Sequence, residues 1–216
     1  MNTFRFRHNR KQKTIMNLQN FQGLQYYLAD NWFYYANVLL FKNRPINYLE
    51  IGTLYGANLL SVANSYGLHP DSKLHCIDPW EDYDEYPQYK GEQPTIYNTF
   101  LQNIENSGYK EKIIVHRGYS DQEVPLFEDE FFDIIFIDGN HEPEYVLEDG
   151  AMSFRKLKKG GVMIFDDYGW GGPDMTKRGI DAFLHGFDKR INILGISNGQ
   201  VFIQKKEDPK EESITI

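Results

Sequence analysis

The order of strand-like and helix-like segments predicts an α/β fold built on a mainly parallel sheet. Two short apolar runs, residues 132–138 and 161–167, are rich in Ile, Phe and Val, and a helix-length segment, residues 142–158, lies between them. Strand, helix and strand over about thirty residues form a βαβ unit, in which the two strands are parallel neighbours. Near the C-terminus, Asn198-Gly199 separates two further apolar runs and predicts a tight hairpin. We therefore expect a seven-stranded, mainly parallel sheet that ends in an antiparallel hairpin, with helices on both faces.

The other elements are predicted from apolar runs and from the residues that end them. Residues 14–44 are rich in Leu, Tyr, Phe and Trp, contain no proline, and are expected to form an N-terminal helical segment after a basic tail at residues 1–13. The core is expected to span residues 46–204, with a polar tail at residues 205–216. The expected strands are residues 46–51, 73–77, 112–116, 132–138, 161–167, 191–196 and 200–204, and the expected helices are residues 57–66, 95–107 with Thr95 as N-cap, 142–158 ended by Lys159-Gly160-Gly161, and 174–186.

Composition and charge narrow the class of protein. The 216 residues carry a formal net charge of −8, which is unsuited to binding nucleic acid through a basic face. The single cysteine, Cys76, cannot form an internal disulfide, which is typical of a reducing compartment, so a cytoplasmic location is expected. No run of about eighteen apolar residues is present, so no membrane span is expected. The length suits a single domain with a substantial core.

Three aspartates end the two strands of the βαβ unit. Asp138 ends the first strand, and Asp166 and Asp167 end the second. Neighbouring strands lie about 4.8 Å apart, so these carboxylates should repel one another unless a positive group lies among them. Oxygen ligands suit a hard divalent cation such as Mg²⁺ or Mn²⁺. The sequence therefore predicts a metal site at these three residues.

The turn after the first strand predicts a nucleoside pocket without a pyrophosphate site. Residues 50–56 carry Gly52 and Gly56, but they lack the Gly-x-Gly-x-x-Gly spacing of dinucleotide-binding proteins and the Gly-Lys-Ser/Thr of a P-loop. Glu50, at the end of this strand, favours a cationic amino group, and Asp78, after the second strand, can accept hydrogen bonds from both ribose hydroxyls. A nucleoside with a positive, amino-acid-like tail meets these requirements, and S-adenosylmethionine (SAM) is such a molecule.

Residues 48–56, Tyr48-Leu49-Glu50-Ile51-Gly52-Thr53-Leu54-Tyr55-Gly56, resemble the first motif of class I SAM-dependent methyltransferases. Asp78, Gly118-Tyr119-Ser120 and residues 157–161 lie where later motifs of that family lie, and the resemblance extends over about residues 46–204. It implies a Rossmann-like sheet with SAM at the ends of the strands. The cofactor-binding residues that follow from this resemblance are Glu50, Gly52, Thr53, Tyr55, Asn58, Asp78 and Ser120.

Within that family, the aspartates resemble the metal site of catechol-type and macrolide-sugar O-methyltransferases. Asp138-Gly139-Asn140-His141 is most similar to the mycinamicin-type sugar enzymes, in which a metal-ligand aspartate and a catalytic histidine lie three residues apart. The resemblance implies that Asp138 and His141 are catalytic, with His141 as base. Macrocin-type enzymes instead carry Asp-Gly-Asp with the second aspartate as proposed base, and this chain has Asn140 there. A role of His141 as hydrogen-bond donor only, with Asp166 or a metal-bound hydroxide as base, therefore stays open.

The long loop after the second strand is expected to contact the acceptor. Residues 79–94 are acidic, rich in tyrosine and interrupted by prolines, and long loops in compact domains are usually functional. Tyr83, Tyr86 and Tyr89 could stack on a sugar ring while neighbouring carboxylates accept its hydroxyl hydrogen bonds. Trp170, which follows the predicted metal ligands, is a candidate for another wall. A solvated loop without substrate contact is the alternative.

The function expected from these features is a Mg²⁺-dependent O-methyltransferase that modifies a hydroxyl of a sugar or glycoside. The expected partner is a small-molecule or glycan acceptor, and self-association into a homo-oligomer is left open. A catechol or other phenolic acceptor on the same metal is the first alternative. A non-catalytic nucleotide-binding domain is the second, although such a domain has no physical need to keep mutually repelling carboxylates together.

Overall fold

The computed structural model describes residues 21–24, 29–36, 41, 43–85 and 87–207. The strands are β1 (Asn47–Ile51), β2 (Lys73–Ile77), β3 (Ile113–His116), β4 (Phe132–Ile137), β5 (Leu157–Phe165), β6 (Ile191–Ser197) and β7 (Gln200–Lys205). The α-helices are α1 (Ala57–Ala63), α2 (Gln93–Ser107), α3 (Ser120–Glu123), α4 (Pro143–Lys156) and α5 (Thr176–Gly186). Short 3₁₀ helices lie at Ala29–Tyr34, Pro87–Tyr89, Lys110–Lys112 and Val124–Leu126.

The strands form one seven-stranded sheet in the order β3-β2-β1-β4-β5-β7-β6. The first five strands in this order pair in parallel, and β7 runs antiparallel to both of its neighbours. This confirms the expected α/β fold with a mainly parallel, Rossmann-like sheet that ends in an antiparallel hairpin. The chain leaves β1 towards β2 and β3 on one side and resumes at β4 on the other, so the strand order reverses between β1 and β4. Ligands of such sheets bind at the carboxyl ends of the strands near this reversal.

Both faces of the sheet are covered by helices, as expected. On one face, α1, α2 and the 3₁₀ helix at Ala29–Tyr34 contribute to an aromatic core that includes Trp32, Tyr48, Phe100 and Phe136. On the other face, α4 and α5 pack on the sheet through Phe154 and Phe183. All six residues of β4 are buried, which explains why this strand reads as a continuous apolar run rather than an alternating one.

The hairpin between β6 and β7 turns at Asn198 and Gly199. Both residues have a positive φ, 53° and 74° respectively. Two left-handed central residues define the tight turn that matches the twist of antiparallel strands, and asparagine followed by glycine is the preferred pair. The hairpin prediction is confirmed in its position and in its turn residues.

Two predicted element ends are wrong. Helix α4 ends at Lys156, and Lys159-Gly160-Gly161 belongs to β5, where Gly160 has a φ of 73° and the register with β4 shifts. The glycines therefore serve an irregularity of the strand instead of ending a helix. Helix α2 begins at Gln93, with Pro94 in its first turn, so Thr95 lies inside the helix and does not cap it.

The predicted N-terminal helical segment, residues 14–44, is described only in part. Within residues 29–36 the chain forms a 3₁₀ helix, Ala29–Tyr34. The remainder of that prediction, the tail at residues 1–13 and most of the polar tail at residues 205–216 lie outside the described residues. Every helix in the described ranges is too short or too polar to cross a lipid bilayer.

Candidate active site

The carboxyl ends of four neighbouring strands lie side by side at one edge of the sheet. Backbone hydrogen bonds join the first residue after one strand to the last residue of the next: Gly52 N to Ile77 O (2.9 Å), Asp138 N to Ile51 O (2.8 Å) and Asp166 N to Ile137 O (2.9 Å). A cleft of about 950 Å³ opens above this edge. The sheet therefore brings together the two groups of residues that the sequence analysis assigned to a cofactor and to a metal.

Gly52 is needed where the turn after β1 approaches the backbone that follows β4. Its φ is 81°, and a Cβ atom on it would lie 1.9 Å from the backbone oxygen of Asp138. Only glycine permits both this backbone conformation and this close approach. Gly52 thus fixes the distance between the turn after β1 and Asp138, which both line the cleft.

Glu50 is a buried acid at the floor of the cleft. Its Oε2 accepts hydrogen bonds from the Tyr48 hydroxyl (2.6 Å) and from Nδ2 of Asn58 (2.9 Å). Burial raises the pKa of Glu50 to about 7, even though these donors oppose the shift. The predicted cofactor residue Asn58 is itself buried, and its side chain contacts Glu50 in this structure.

Asp78 follows β2 and organises the turn after β1. Its Oδ2 accepts hydrogen bonds from the backbone nitrogens of Thr53 and Leu54, both at 2.9 Å, and its Oδ1 accepts one from Trp80 N (2.8 Å). Burial raises the pKa of Asp78, and these three N–H donors oppose the rise. The carboxylate therefore holds the cofactor-side turn in place, and its remaining lone pairs face the cleft that it lines.

Ser120 and Asp149 form a pair on the opposite wall. Ser120 begins α3 and hydrogen-bonds with its side chain to Asp149, a buried residue of α4 whose pKa burial raises to about 7. The predicted residues Thr53, Tyr55 and Ser120 all line the cleft, and so does Asp149. Sequence reasoning missed Asp149. Its position three residues after Val146, on the apolar side of α4, was the available signal.

Three of the residues predicted to be catalytic or to bind a metal form a compact group, which we call the catalytic cluster: Asp138, His141 and Asp167. One possible ligand atom from each lies within 4.8 Å of the others. Burial raises the pKa of Asp138 well above its usual range, and the charges of Asp166 and Asp167 raise it further. Mutual repulsion between these acids is thus the result predicted from the sequence.

Asp166 differs from the other two aspartates. Its side chain is buried below the cleft, where Oδ1 accepts the backbone N–H of Asp167 (2.9 Å). It neither lines the cleft nor belongs to the catalytic cluster. Burial, followed by the charge of Asp167, raises the pKa of Asp166 to about 7. Asp167 itself has a φ of 56°, an uncommon conformation that turns its side chain into the cleft.

His141 lies between two carboxylates. Its Nε2 is 2.7 Å from Oδ2 of Asp167, and its Nδ1 is 2.6 Å from Oε1 of Glu85. Burial lowers the pKa of His141, but the hydrogen bonds to Asp167 and Glu85 outweigh burial and raise the pKa to about 9. With its pKa raised to about 9, His141 carries a proton on both ring nitrogens at neutral pH. The imidazolium therefore supplies one positive charge among the acids, and its ring packs on Trp170 with 4.6 Å between ring centroids.

Glu85 belongs to the β2–α2 loop, residues 78–92, which forms one side of the cleft. Tyr83, Gln88 and Tyr89 from this loop also line the cleft, whereas Tyr86 lies outside the described residues. The loop is held at further points, where Asp82 accepts the backbone N–H of Gly91 and Glu81 accepts the hydroxyl of Tyr119. The contact between Glu85 and His141 was not predicted from the sequence.

A family model described as a methyltransferase domain matches residues 49–168, which is more than half of the chain. This range contains the turn after β1, Asp78, and the whole catalytic cluster. The chain belongs to this methyltransferase family. The cleft described above is accordingly the candidate active site of a methyltransferase.

Similar proteins agree with this assignment at the level of fold. An O-methyltransferase from Bacillus cereus, solved in complex with S-adenosylhomocysteine, shares 18% identity at a TM-score of 0.62, covering 88% of this chain and 87% of the other. The O-methyltransferase TomG from Streptomyces achromogenes, solved with SAM, shares 18% identity at a TM-score of 0.57 over 81% and 79% of the two chains. An uncharacterised protein of Acanthamoeba polyphaga mimivirus is 28% identical over 136 residues, which are 59% of this methyltransferase and only about half, 54%, of that protein.

Proposed function

We propose that this methyltransferase transfers the methyl group of SAM to a hydroxyl oxygen of a sugar or glycoside. The observation that carries the proposal is that Glu50 and Asp78, the residues predicted to bind a nucleoside with a cationic tail, line the same cleft as the catalytic cluster. Two solved O-methyltransferases of the same fold, with SAM or S-adenosylhomocysteine bound, support the choice of cofactor. In the reaction, the acceptor oxygen bonds to the methyl carbon while the carbon–sulfur bond breaks, and the acceptor proton passes to a base.

The cofactor side of the cleft supplies a negative floor for a cationic molecule. The sulfonium and amino groups of SAM are positive, and Glu50 is the buried acid beneath the turn that would receive them. Binding of a cation would favour the ionised form of Glu50, whose pKa burial raises to about 7. Asp78 would accept the ribose hydroxyls with the lone pairs that its backbone donors leave unused.

The catalytic cluster fits a hard divalent cation. The ligand atoms of Asp138 and Asp167 come close enough to bind one ion. Burial, followed by the charges of Asp166 and Asp167, raises the pKa of Asp138, and an ion would relieve the repulsion between these charges. When bound, Mg²⁺ or Mn²⁺ would lower the pKa of the acceptor hydroxyl. Asp166 would act from below, through its hydrogen bond to the backbone of Asp167.

His141 is the proposed base, and it can accept a proton only in its neutral form. In the structure its Nε2 bonds to Asp167, one of the two carboxylates that raise its pKa to about 9. If a cation compensates the charge of Asp167, this contribution weakens and neutral His141 becomes available near physiological pH. The role of His141 as a base therefore depends on whether a cation is bound to the carboxylate of Asp167.

The walls of the cleft favour an acceptor without negative charge. Eight of the lining residues carry carboxyl groups, and none of the described lining residues is Lys or Arg: the acids are Glu50, Asp78, Glu81, Asp121, Asp138, Glu148, Asp149 and Asp167. A phosphate or carboxylate on the acceptor would be repelled here. Tyr83, Tyr145 and Trp170 offer aromatic faces at the same opening, a surface on which the apolar face of a sugar ring can pack.

A matched acceptor screen tests this proposal. The protein is incubated with SAM, Mg²⁺ and pairs of acceptors, namely a neutral glycoside against its phosphorylated counterpart and a catechol against a carboxylated catechol, and the products are weighed by mass spectrometry. We expect a methyl-sized mass gain on neutral glycosides, little on the charged counterparts, and loss of turnover in excess chelator. Methylation of catechols alone would replace the sugar by a phenolic acceptor, and full turnover after verified metal removal would refute the metal site.

The variant Asp138→Asn tests the cluster without an acceptor. It removes one of the repelling carboxylates, so we expect weaker Mg²⁺ binding by calorimetry together with a higher melting temperature in the absence of metal. Asp121→Asn, which neutralises an exposed acid elsewhere in the cleft, is the matched control and should change neither quantity appreciably. Absence of SAM binding by the parent protein in the same calorimetric format would instead favour a non-catalytic domain.

A further inference from the structure

Glu85 holds His141 through both of its carboxylate oxygens. Oε1 is 2.6 Å from Nδ1 of the imidazole, and Oε2 accepts the backbone N–H of His141 at 3.4 Å. The carboxylate lies in a sheltered place, since the side chain of Glu85 is 10% exposed and that of His141 is 11% exposed. An ion pair that is largely withdrawn from water is screened less than one on the surface, so this contact holds the imidazole more firmly.

The two nitrogens of the His141 ring consequently have different surroundings. Nδ1 faces the β2–α2 loop through Glu85, and Nε2 faces the catalytic cluster through Asp167. Trp170 covers the ring, with 4.6 Å between ring centroids. A carboxylate against one nitrogen fixes the orientation of an imidazole, so the other nitrogen is held facing the catalytic cluster.

Glu85 also connects two parts of the molecule that are distant along the chain. It lies 56 residues before His141, within the loop that leads from β2 to α2, whereas His141 follows β4. The loop reaches this position with the support of Asp82, which accepts the N–H of Gly91, and of Glu81, which accepts the hydroxyl of Tyr119. The position of the loop and the orientation of the His141 ring are thus set by the same contact.

We propose that Glu85 is the positioning residue for His141 and orients the imidazole so that Nε2 faces the catalytic cluster, where the acceptor oxygen would lie. The importance of this orientation for catalysis rests on the function proposed above. The orientation itself is a property of the protein and does not depend on that function. Glu85 acts through His141 and contacts no reacting atom. Its loss should therefore lower kcat more than it changes the affinity for SAM.

The first test uses the protein without an acceptor. In the proton NMR spectrum of the parent, the Nδ1–H of His141 should give a slowly exchanging downfield signal, assigned by its absence in His141→Gln. We expect Glu85→Ala to abolish this signal and Glu85→Gln, whose amide oxygen can still accept the N–H, to retain it. Asp84→Ala is the matched control, because Asp84 is an exposed acid of the same loop. Persistence of the signal in a folded Glu85→Ala protein would overturn the proposal.

The second test uses turnover of whichever acceptor the screen identifies. Glu85→Ala should lower kcat by about 10- to 100-fold, with an unchanged dissociation constant for SAM, whereas Glu85→Gln should retain most of the rate and Asp84→Ala nearly all of it. Equal losses in Glu85→Ala and Asp84→Ala would contradict a positioning role and indicate a general effect of loop charge. If no acceptor is methylated but the NMR signal still depends on Glu85, the proposed function fails while the positioning by Glu85 stands.

Discussion

Buried acids lie at both ends of the cleft, one end beside β1 and β2 and the other beside β4 and β5. The two ends stabilise their acids in different ways. On the first side, Glu50 accepts from Tyr48 and Asn58, and Asp78 accepts from three backbone nitrogens. On the second side, the carboxyl groups of the catalytic cluster lie close to one another, and His141 is the positive group among them. The first side is therefore preformed by the protein's own donors, while the second has charge left to be compensated by a cation.

This difference separates two contributions to activity. The acids on the cofactor side already have hydrogen-bond partners. Binding of a ligand there costs little free energy of reorganisation, because few groups need to rearrange. On the second side, the metal-free arrangement engages His141 with Asp167, so the proposed base is released only when another charge takes over that carboxylate. Substitutions on each side can therefore be ranked by how strongly they are expected to change this difference between the two sides.

The largest effect is expected from Gly52→Ala, which acts where the two sides meet. The new Cβ would lie 1.9 Å from the backbone oxygen of Asp138 and would force alanine to a φ of 81°. We expect a loss of stability on the order of 3–5 kcal/mol, measured by urea unfolding, together with loss of SAM binding.

Gly199→Ala provides the control for backbone strain alone. Gly199 has a φ of 74° and no atom within 4 Å of an added Cβ, so its substitution should cost only about 1–2 kcal/mol. Equal losses of stability in the two variants would show that the contact between Gly52 and Asp138 is not the decisive feature of this junction.

A smaller effect, dependent on pH, is expected from Glu50→Gln on the cofactor side. Burial raises the pKa of Glu50 from an ordinary 4.5 to about 7 in the folded protein, so the folded state retains a proton that the unfolded state loses. Glu50 therefore contributes to the stability of the fold below pH 4.5, the pKa of this group in the unfolded state. This contribution is lost as the pH rises from 4.5 through about 7. A shift of this size corresponds to about 3 kcal/mol above neutral pH.

Glu50→Gln should therefore be more stable than the parent above neutral pH. This advantage should grow progressively as the pH rises from 4.5 to about 7. The quantity to compare is the difference in unfolding free energy between variant and parent, because Asp149 and Asp166 also titrate near 7 and affect both proteins alike. A difference that stays constant with pH would show that Glu50 is ionised throughout.

The same contrast explains what the sequence could and could not predict. Glu50, Gly52, Asp78 and Asp138 end or follow buried parallel strands, and such strands have one arrangement at the reversal point, so position in the chain determined position in space. The strand and hairpin prediction succeeded for the same reason. Asp166 and Asp167 were indistinguishable in sequence, because the left-handed backbone at Asp167 decides which of the two side chains enters the cleft.

Contacts that depend on a long loop were not predictable. Glu85 lies in a loop with several acids, and nothing in its local sequence distinguishes it from Asp84 as a partner of His141. The pKa of His141 shows the same limit, because Glu85 and Asp167 raise it to about 9 and both partners reach His141 through the tertiary arrangement. Side-chain partners across such distances follow from the tertiary arrangement and not from local pattern.

The smallest effect is expected from Tyr119→Phe, which loosens the β2–α2 loop at an exposed point. The Tyr119 hydroxyl donates to Oε2 of Glu81 at 2.8 Å, and both side chains are exposed, so water can replace either partner. We expect stability within about 0.5 kcal/mol of the parent and a nearly unchanged turnover. Hydrogen exchange of the loop amides should accelerate slightly, and much less than in Glu85→Ala, whose contact with His141 is sheltered from water. If Tyr119→Phe accelerated loop exchange as much as Glu85→Ala, the loop would be held from its exposed edge, and the link between loop position and His141 would lose its physical basis.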